Sequence, residues 1–212
     1  FWRRGFSNLP DCSLKMISVI IPIYNEEKVI PKLYNRLIEA GKKWGDSYEI
    51  IWVDDGSTDN SLELMKLYVN QDHNFKVVQL SRNFGHQAAI SAGMKMALGD
   101  VIAIMDGDLQ DPPEELPRFL EKWKEGYDVV YAIRTRRKEG FFKKSAYYLF
   151  YRILEWISDI SIPLDSGDFC LMDKKVVKTL NYEFTESIRF VGGLRAFAGF
   201  KQVGVAYERE KR

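Results

Sequence analysis

The chain has 212 residues, of which 46% are hydrophobic and 29% are charged, and its formal net charge is +1. This composition argues against a disordered chain and against a strongly basic protein that binds nucleic acid, and the length fits one compact domain. Its two cysteines, Cys12 and Cys170, show neither metal-ligand spacing nor a disulfide framework. No apolar stretch reaches the roughly 18 to 20 residues that cross a bilayer, and no secretory leader opens the chain. We therefore expect the chain as given to be soluble.

Residues 1–15 are irregular, and we treat them as an N-terminal extension outside the fold. From Met16 the chain alternates strand and helix patterns. The predicted strands are 17–23, 48–53, 76–80, 101–105 and 128–133, and the predicted helices are 29–43, 60–69, 86–97 and 113–125. Apolar strands this continuous need cover on both faces. The pattern therefore predicts one α/β domain over residues 16–212, with a Rossmann-like, mostly parallel central sheet and helices on both faces.

Three carboxylates follow the fourth predicted strand, in the sequence DGDLQD at 106–111. Hard cations such as Mg²⁺ and Mn²⁺ take oxygen ligands and keep substrate phosphates in their remaining positions. Acids spaced one residue apart suit a metal site that also holds a diphosphate. Asp and Gly also favour ordinary turns, so a solvated turn is the alternative.

A second acidic pair, Asp54 and Asp55, ends the second predicted strand. Ligands of open α/β sheets bind outside the carboxyl ends of the strands, so two acidic loops there would face one crevice. The alternative for this pair is simple capping of the following helix.

Five motifs in chain order resemble those of glycosyltransferase family 2: IIPIYNEE at 20–27, DDGS at 54–57, SRNFG at 81–85, DGDLQDP at 106–112 and GDF at 167–169. The similarity extends from residue 16 to residue 212. It is closest to the polyprenyl-phosphate branch, which includes dolichol-phosphate mannosyltransferases and bactoprenol glucosyltransferases. The resemblance implies a GT-A fold, a nucleotide-sugar donor, inversion at the anomeric carbon and transfer to a polyprenyl-phosphate lipid at the cytoplasmic face of the cell membrane. It also implies membrane segments that this chain does not contain, and it favours a UDP-sugar over a GDP-sugar.

The resemblance also assigns donor-side residues. The loop after the first strand would contact the base and ribose, Asp55 would face the uracil or ribose, and Asp106 and Asp108 would bind the Mg²⁺ or Mn²⁺ that bridges the donor phosphates. Asp108 would be the principal metal ligand. The residues expected to bind the nucleotide-sugar are Pro22, Tyr24, Asn25, Glu26, Asp55, Ser57, Asp106 and Gln110.

A lipid phosphate is already anionic, so its acceptor chemistry needs positioning cations more than a base. Arg134 follows the fifth predicted strand and is the preferred phosphate ligand, and Arg136 and Arg137 come directly after it. The alternative is an exposed basic loop that rests on anionic head groups.

Asp168 matches the acid of the family's Gly-Asp-Phe-Arg segment, which resembles a catalytic base or acceptor-side carboxylate. Asp165 is the alternative acid. Cys170 stands where relatives commonly have Arg, so a guanidinium contact is either missing or supplied from elsewhere. His86 opens a helix that looks suited to close packing, and we expect it to have a structural or nucleotide-contact role rather than an acid-base one.

The aromatic segment 147–157 follows two lysines and suits either a membrane interface or burial in this domain. Two other functions remain open from the sequence: a family 2 transferase that glycosylates a saccharide hydroxyl, and a non-enzymatic receiver-like signalling module whose paired acids accept a phosphoryl group. The sequence does not decide between a monomer and a homo-oligomer.

Overall fold

The computed structural model describes residues 16–45, 47–134, 166–184 and 190–210. Several sequence predictions lie outside the described residues. They are the 1–15 extension, the aromatic segment 147–157, Asp165, Arg136 and Arg137.

The strands form a seven-stranded sheet in the order β3-β2-β1-β4-β6-β5-β7. Only β6 is antiparallel to its neighbours, β4 and β5, and the other paired strands run parallel. The predicted mostly parallel sheet is therefore confirmed. The strands are β1 Ile17–Ile23, β2 Tyr48–Asp54, β3 Phe75–Gln79, β4 Val101–Ile104, β5 Val129–Arg134, β6 Ser166–Asp173 and β7 Gln202–Tyr207.

Helices cover both faces of the sheet, as predicted. Alternate β1 residues serve opposite faces: Ile21 packs in the cluster that includes Leu33, and Ile20 packs in the cluster that includes Ile90. Within the described residues, no helix combines the length and the apolarity needed to cross a bilayer. The helices are α1 Ile30–Gly41, α2 Ser61–Gln71, α3 His86–Met96, α4 Leu116–Lys124, α5 Lys174–Tyr182 and α6 Val191–Phe197.

The helix predicted at 113–125 is divided in two. A 3-10 turn, Pro113–Glu115, precedes α4. Pro117 has no N–H group, and in a continuous α-helix its ring would clash with the carbonyl four residues earlier, that of Pro113. That carbonyl instead accepts a hydrogen bond from Trp44 Nε1 at 3.2 Å.

Glu49, near the start of β2, is a buried carboxylate that links β2 to its neighbours. It lies at the edge of the sheet opposite the strand ends that carry the motifs. Glu49 is 4% exposed. Burial alone would raise its pKa, but hydrogen bonds from Lys76 Nζ, Ser18 Oγ and the Leu98 backbone N–H together hold the pKa of Glu49 below its ordinary value. The ionised carboxylate is therefore part of the folded structure.

The strand directions decide where the motifs meet. All strands except β6 end at one edge of the sheet, and antiparallel β6 begins there. A residue at the start of β6, such as Asp168, consequently lies at the same edge as Asp54 and the loop that follows β4. This edge is the candidate active site.

Candidate active site

The loops after β1 and β2 are hydrogen-bonded to each other. Asn25 has a left-handed backbone with φ of 53°. Its N–H donates to Ser57 Oγ at 3.1 Å, and its Oδ1 accepts from the Thr58 N–H at 2.8 Å. Tyr24, beside it, is 46% exposed. The two loops thus form one surface, and the predicted donor residues Tyr24, Asn25 and Ser57 lie on it.

Two other predicted donor residues lie beside this surface. Pro22 is buried within β1, inside the predicted strand 17–23, and β1 stays paired with β2 as far as Ile23 and Asp54. Glu26 is in the loop, and its backbone N–H donates to Ser61 Oγ at 2.8 Å. Contact of Pro22 and Glu26 with the nucleotide stays a prediction.

Asp55 supports the loop after β3. It is 3% exposed, and its two carboxylate oxygens accept hydrogen bonds from the N–H groups of Phe84 at 2.8 Å and Gly85 at 3.0 Å. Gly56, with φ of 71°, lies against the same loop: a Cβ there would be 2.4 Å from the Arg82 carbonyl carbon. Asp55 therefore orders the wall of the crevice through the SRNFG motif, and its predicted contact with the nucleotide stays a prediction.

The acidic loop after β4 is closed by its own carboxylates. Asp108 Oδ1 accepts from the Gln110 N–H at 3.0 Å, and Asp111 Oδ2 accepts from the Asp106 N–H at 3.3 Å. Leu109 takes a left-handed backbone, with φ of 66°, to make the turn. Asp111 is 1% exposed, whereas Asp106 and Asp108 keep about a quarter of their side-chain surface accessible, at 26% and 23%. The two accessible acids are the pair predicted to bind metal.

Arg209, which follows β7, compensates the charge of this loop. Its Nη2 lies 3.0 Å from Asp106 Oδ2 and 3.8 Å from Asp108 Oδ2, and its Nε lies 3.5 Å from Asp111 Oδ1. One guanidinium therefore faces all three carboxylates of the DGDLQD sequence. The loop is built around a cationic centre, which in this structure is an arginine side chain.

The chemistry of this loop fits a divalent cation. Burial, with the neighbouring Asp111 and Asp108 carboxylates, raises the pKa of Asp106 to about 6 even though His86 and Arg209 oppose the rise, so a further positive charge beside it would favour the ionised carboxylate. Among the described residues, no group of three or more acidic, histidine or cysteine side chains is arranged to hold a metal by itself. Mg²⁺ is typically held by one or two carboxylates plus substrate phosphates, and Asp106 and Asp108 supply that number.

Asp168 is held by two consecutive residues of α3. His86 Nε2 and Gln87 Nε2 each lie 3.0 Å from Asp168 Oδ2. Burial would raise the pKa of Asp168, but the hydrogen bonds from His86 and Gln87 lower it, and the Asp168 hydrogen bond raises the pKa of His86. The imidazole also lies 3.5 Å from Asp106 Oδ1. Asp168 and the acidic loop after β4 therefore meet at one histidine.

Arg134 ends β5 at the same edge. Its side chain passes so close to Gly167 that a Cβ at that position would lie 2.8 Å from Nη2. It hydrogen-bonds Tyr207, whose hydroxyl donates to Asp111 Oδ1 at 2.7 Å, and burial together with Asp111 raises the pKa of that tyrosine. Within the described residues, the buried Nε of Arg134 has no hydrogen-bond partner. The predicted phosphate ligand thus lies between Asp168 and the acidic loop.

A buried arginine of α6 lies beside Cys170. Arg195 is 1% exposed, hydrogen-bonds the Cys170 side chain and lies over the Tyr131 ring at 5.3 Å. Burial raises the pKa of the Cys170 thiol, so this cysteine is not an activated nucleophile. Arg195 therefore brings a guanidinium close to position 170, and the supply of the family's ligand contact from elsewhere in the chain stays a prediction.

Sequence reasoning gave no site role to Gln87 or Tyr207, and it placed His86 outside the acid-base groups. His86 and Gln87 did have a signal in the sequence, because they directly follow the SRNFG motif at the start of a predicted helix. Tyr207 had none, since strand β7 was not predicted.

An α/β sheet with a carboxylate-bearing loop after β4, and with a further acid facing it from an antiparallel strand, defines a glycosyltransferase of the GT-A fold. Comparison with known proteins identifies the family: the model described as glycosyl transferase family 2 matches residues 18–180, and the chain belongs to that family. The receiver-like alternative is therefore wrong.

The relatives agree with this assignment. The chain is 49% identical over 196 residues to YkcC of Bacillus subtilis, described as an uncharacterized glycosyltransferase, covering 92% of this chain and 60% of that protein. It is 45% identical over 134 residues to an undecaprenyl-phosphate 4-deoxy-4-formamido-L-arabinose transferase of Yersinia pestis, covering 63% and 41%. The chain thus spans less than two thirds of either relative. The predicted likeness to the polyprenyl-phosphate branch is confirmed.

Solved structures confirm the GT-A fold. The mannosyltransferase PcManGT of Pyrobaculum calidifontis, in complex with GDP-Man and Mn²⁺, matches with a TM-score of 0.62 at 17% identity over 92% of this chain and 57% of that one. S. aureus TarS 1–349 in complex with UDP-GlcNAc matches with a TM-score of 0.59 at 20% identity over 93% and 59%.

Proposed function

We propose that this chain moves a sugar, with inversion, from a nucleoside-diphosphate donor to a polyprenyl phosphate, in the presence of Mg²⁺ or Mn²⁺. A UDP-sugar is favoured over a GDP-sugar. One observation carries the proposal: Asp106 of the β4 loop and Asp168 at the start of β6 lie close to the same histidine nitrogen, at 3.5 Å and 3.0 Å from His86 Nε2. A donor diphosphate and an acceptor bound at these two acids would be neighbours.

The chain's own residues supply the steps on the donor side. Tyr24, Asn25 and Ser57 form the surface for the nucleotide, and Asp106 and Asp108 hold the metal. When bound, the metal neutralises the charge that develops on the leaving diphosphate, a contribution of several kcal/mol to the transition state. Gln110 closes the loop through its hydrogen bond to Asp108 and keeps the two acids at the crevice.

On the acceptor side, a phosphate oxygen attacks the anomeric carbon as the bond to the donor diphosphate breaks, and the nucleoside diphosphate leaves with that electron pair. Arg134, and by the sequence prediction Arg136 and Arg137, reduce the repulsion between the two phosphate groups. The second pKa of a phosphate monoester is about 6, so part of the acceptor enters with one proton. Asp168 then accepts a hydrogen bond from that P–OH group.

The alternative of a saccharide hydroxyl acceptor fits the site less well. A hydroxyl must lose its proton to a base, and the best base has a pKa near the working pH. The hydrogen bonds from His86 and Gln87 lower the pKa of Asp168 and make it a weaker base. The lipid-phosphate proposal is also supported by the Yersinia relative, whose name states an undecaprenyl-phosphate transferase. With a polyprenyl-phosphate acceptor, we infer that the enzyme acts at the cytoplasmic face of the cell membrane.

Calorimetric titration of UDP and GDP, each with and without Mn²⁺, tests the donor side on the wild type and on Asp108→Asn. We expect metal-dependent binding that the substitution abolishes, with UDP bound more tightly. Transfer is then assayed with a panel of nucleotide-sugars and two acceptors, a short polyprenyl phosphate and the corresponding polyprenol. Transfer to the alcohol but not to the phosphate would refute the proposed acceptor, and a folded protein that binds neither nucleotide would refute the proposed donor site.

A further inference from the structure

Two side chains that are neighbours in the sequence donate hydrogen bonds to Asp168. His86 and Gln87 are the first two residues of α3, and side chains one position apart on a helix point about 100° away from each other. Both nevertheless reach the same oxygen, Asp168 Oδ2, at 3.0 Å each. The start of a helix is its positive end, which favours a carboxylate nearby. The start of α3 therefore binds Asp168 through two side chains.

Each of the two side chains also has a second contact. Gln87 Oε1 accepts from the Val191 N–H at 2.9 Å, where α6 begins, and this contact fixes the orientation of the amide that donates to Asp168. His86 Nε2 lies near Asp106 Oδ1 in the donor-side loop. Asp168 is thus linked to α6 through Gln87 and to the acidic loop through His86.

We propose that His86 and Gln87 are positioning residues for the acceptor. They hold Asp168 by Oδ2, so that Oδ1 is the oxygen presented to the acceptor phosphate, and they act through Asp168 rather than on the reacting atoms. This inference rests on the proposed function. It requires only that both side chains donate hydrogen bonds, so a different donor of similar reach should replace the imidazole.

A double-mutant cycle on acceptor kinetics tests the proposal. Gln87→Leu removes the amide at similar size, and we expect kcat/KM for the polyprenyl phosphate to fall about tenfold or more, as for a lost hydrogen bond to a charged group, while the Kd of the nucleotide with Mn²⁺ stays unchanged. In an Asp168→Asn background the same change should add less than twofold. Fully additive losses would overturn the proposal, because the two residues would then act independently.

The matched pair His86→Gln and His86→Leu separates positioning from imidazole chemistry. His86→Gln keeps an N–H donor and should retain most of the activity that His86→Leu loses. Equal loss in both variants would overturn the positioning role. The exposed His73 provides the control, since His73→Leu changes the other histidine of the chain far from the crevice.

A spectroscopic measurement decides the contact without any turnover. The chain has only two histidines, so ¹⁵N-histidine labelling gives two pairs of ring signals, one pair for each imidazole. In metal-free protein at one pH, Asp168→Asn should shift the His86 signal and leave that of His73 in place. An unmoved His86 signal would overturn the proposed contact. If the wild type transfers no sugar under any condition, the proposed function fails, and this measurement still judges the inference by itself.

Discussion

Replacing Gly56 by alanine should push apart the loops that follow β2 and β3, because the added methyl group would overlap backbone atoms. Gly56 has φ of 71°, and its Cβ position lies 2.4 Å from the Arg82 carbonyl carbon and 2.6 Å from the Asn83 nitrogen. Both obstructing atoms are backbone atoms, so no side chain can turn away to relieve the overlap. The substitution therefore combines a backbone penalty with an overpacking penalty.

The magnitudes follow from a matched control. Gly126 also has a positive φ, of 89°, but no atom lies within 4 Å of its Cβ position. Gly126→Ala should cost only the left-handed backbone penalty of about 1–2 kcal/mol. Gly56→Ala adds overpacking of about 1–3 kcal/mol. The stabilising effect of alanine on the unfolded chain, about 0.4–1 kcal/mol, applies to both variants and cancels in the comparison.

Urea denaturation of the two variants and the wild type, fitted with a shared m-value, measures the difference directly. We expect Gly56→Ala to lose about 1–3 kcal/mol more than Gly126→Ala, by the overpacking argument. We also expect weaker nucleotide binding for Gly56→Ala alone, because Asp55 would be pulled from the Phe84 and Gly85 N–H groups. Equal losses in stability would refute the steric reasoning.

Three further predictions concern charges and caps. The pKa of Glu49 is lower in the folded protein than in the unfolded chain, so its contribution to stability is present above the unfolded pKa and is lost as the pH falls through the folded pKa. Glu49→Gln should flatten the acid limb of a denaturation series measured against pH, and an unchanged slope would contradict this. Asp173 caps α5 by accepting from the Lys175 N–H at 2.9 Å, and it also accepts from Trp123 Nε1 at 2.8 Å. Asp173→Ala should cost at least the roughly 0.5–2 kcal/mol of a lost cap in thermal or urea unfolding, whereas a neutral result would exclude a stabilising cap. Arg209→Gln removes a partly exposed ion pair with Asp106, and such a pair contributes about 0.2–1 kcal/mol. Calorimetry without nucleotide should therefore show Mn²⁺ bound up to about fivefold more tightly by the variant. Weaker binding would show that Arg209 does not compete with the metal.

The sequence predicted the first five strands because each is a short apolar run closed by turn residues. The boundaries agree closely: the strand expected at 48–53 is Tyr48–Asp54, and the helix expected at 86–97 is His86–Met96. The side chains of β1, β2 and β4 are buried on both faces, so the local composition of these strands reflects their tertiary environment.

What the sequence did not predict depends on contacts between distant positions. Strand β6 is antiparallel, and no local periodicity reveals the direction in which a strand enters a sheet. The Gln87 to Asp168 hydrogen bond joins residues 81 positions apart. The ion pair of Arg209 with Asp106 depends on β7, which brings the end of the described chain back to the edge of the sheet.

The reversed direction of β6 also decides where two strand ends meet. β5 ends at Arg134 and β6 starts at Ser166, and because the two strands are antiparallel, both positions lie at the edge of the sheet that carries the candidate active site. An insertion or deletion between these two positions can therefore leave the register of every strand unchanged. The sheet tolerates changes in chain length at this edge without losing its own hydrogen bonds.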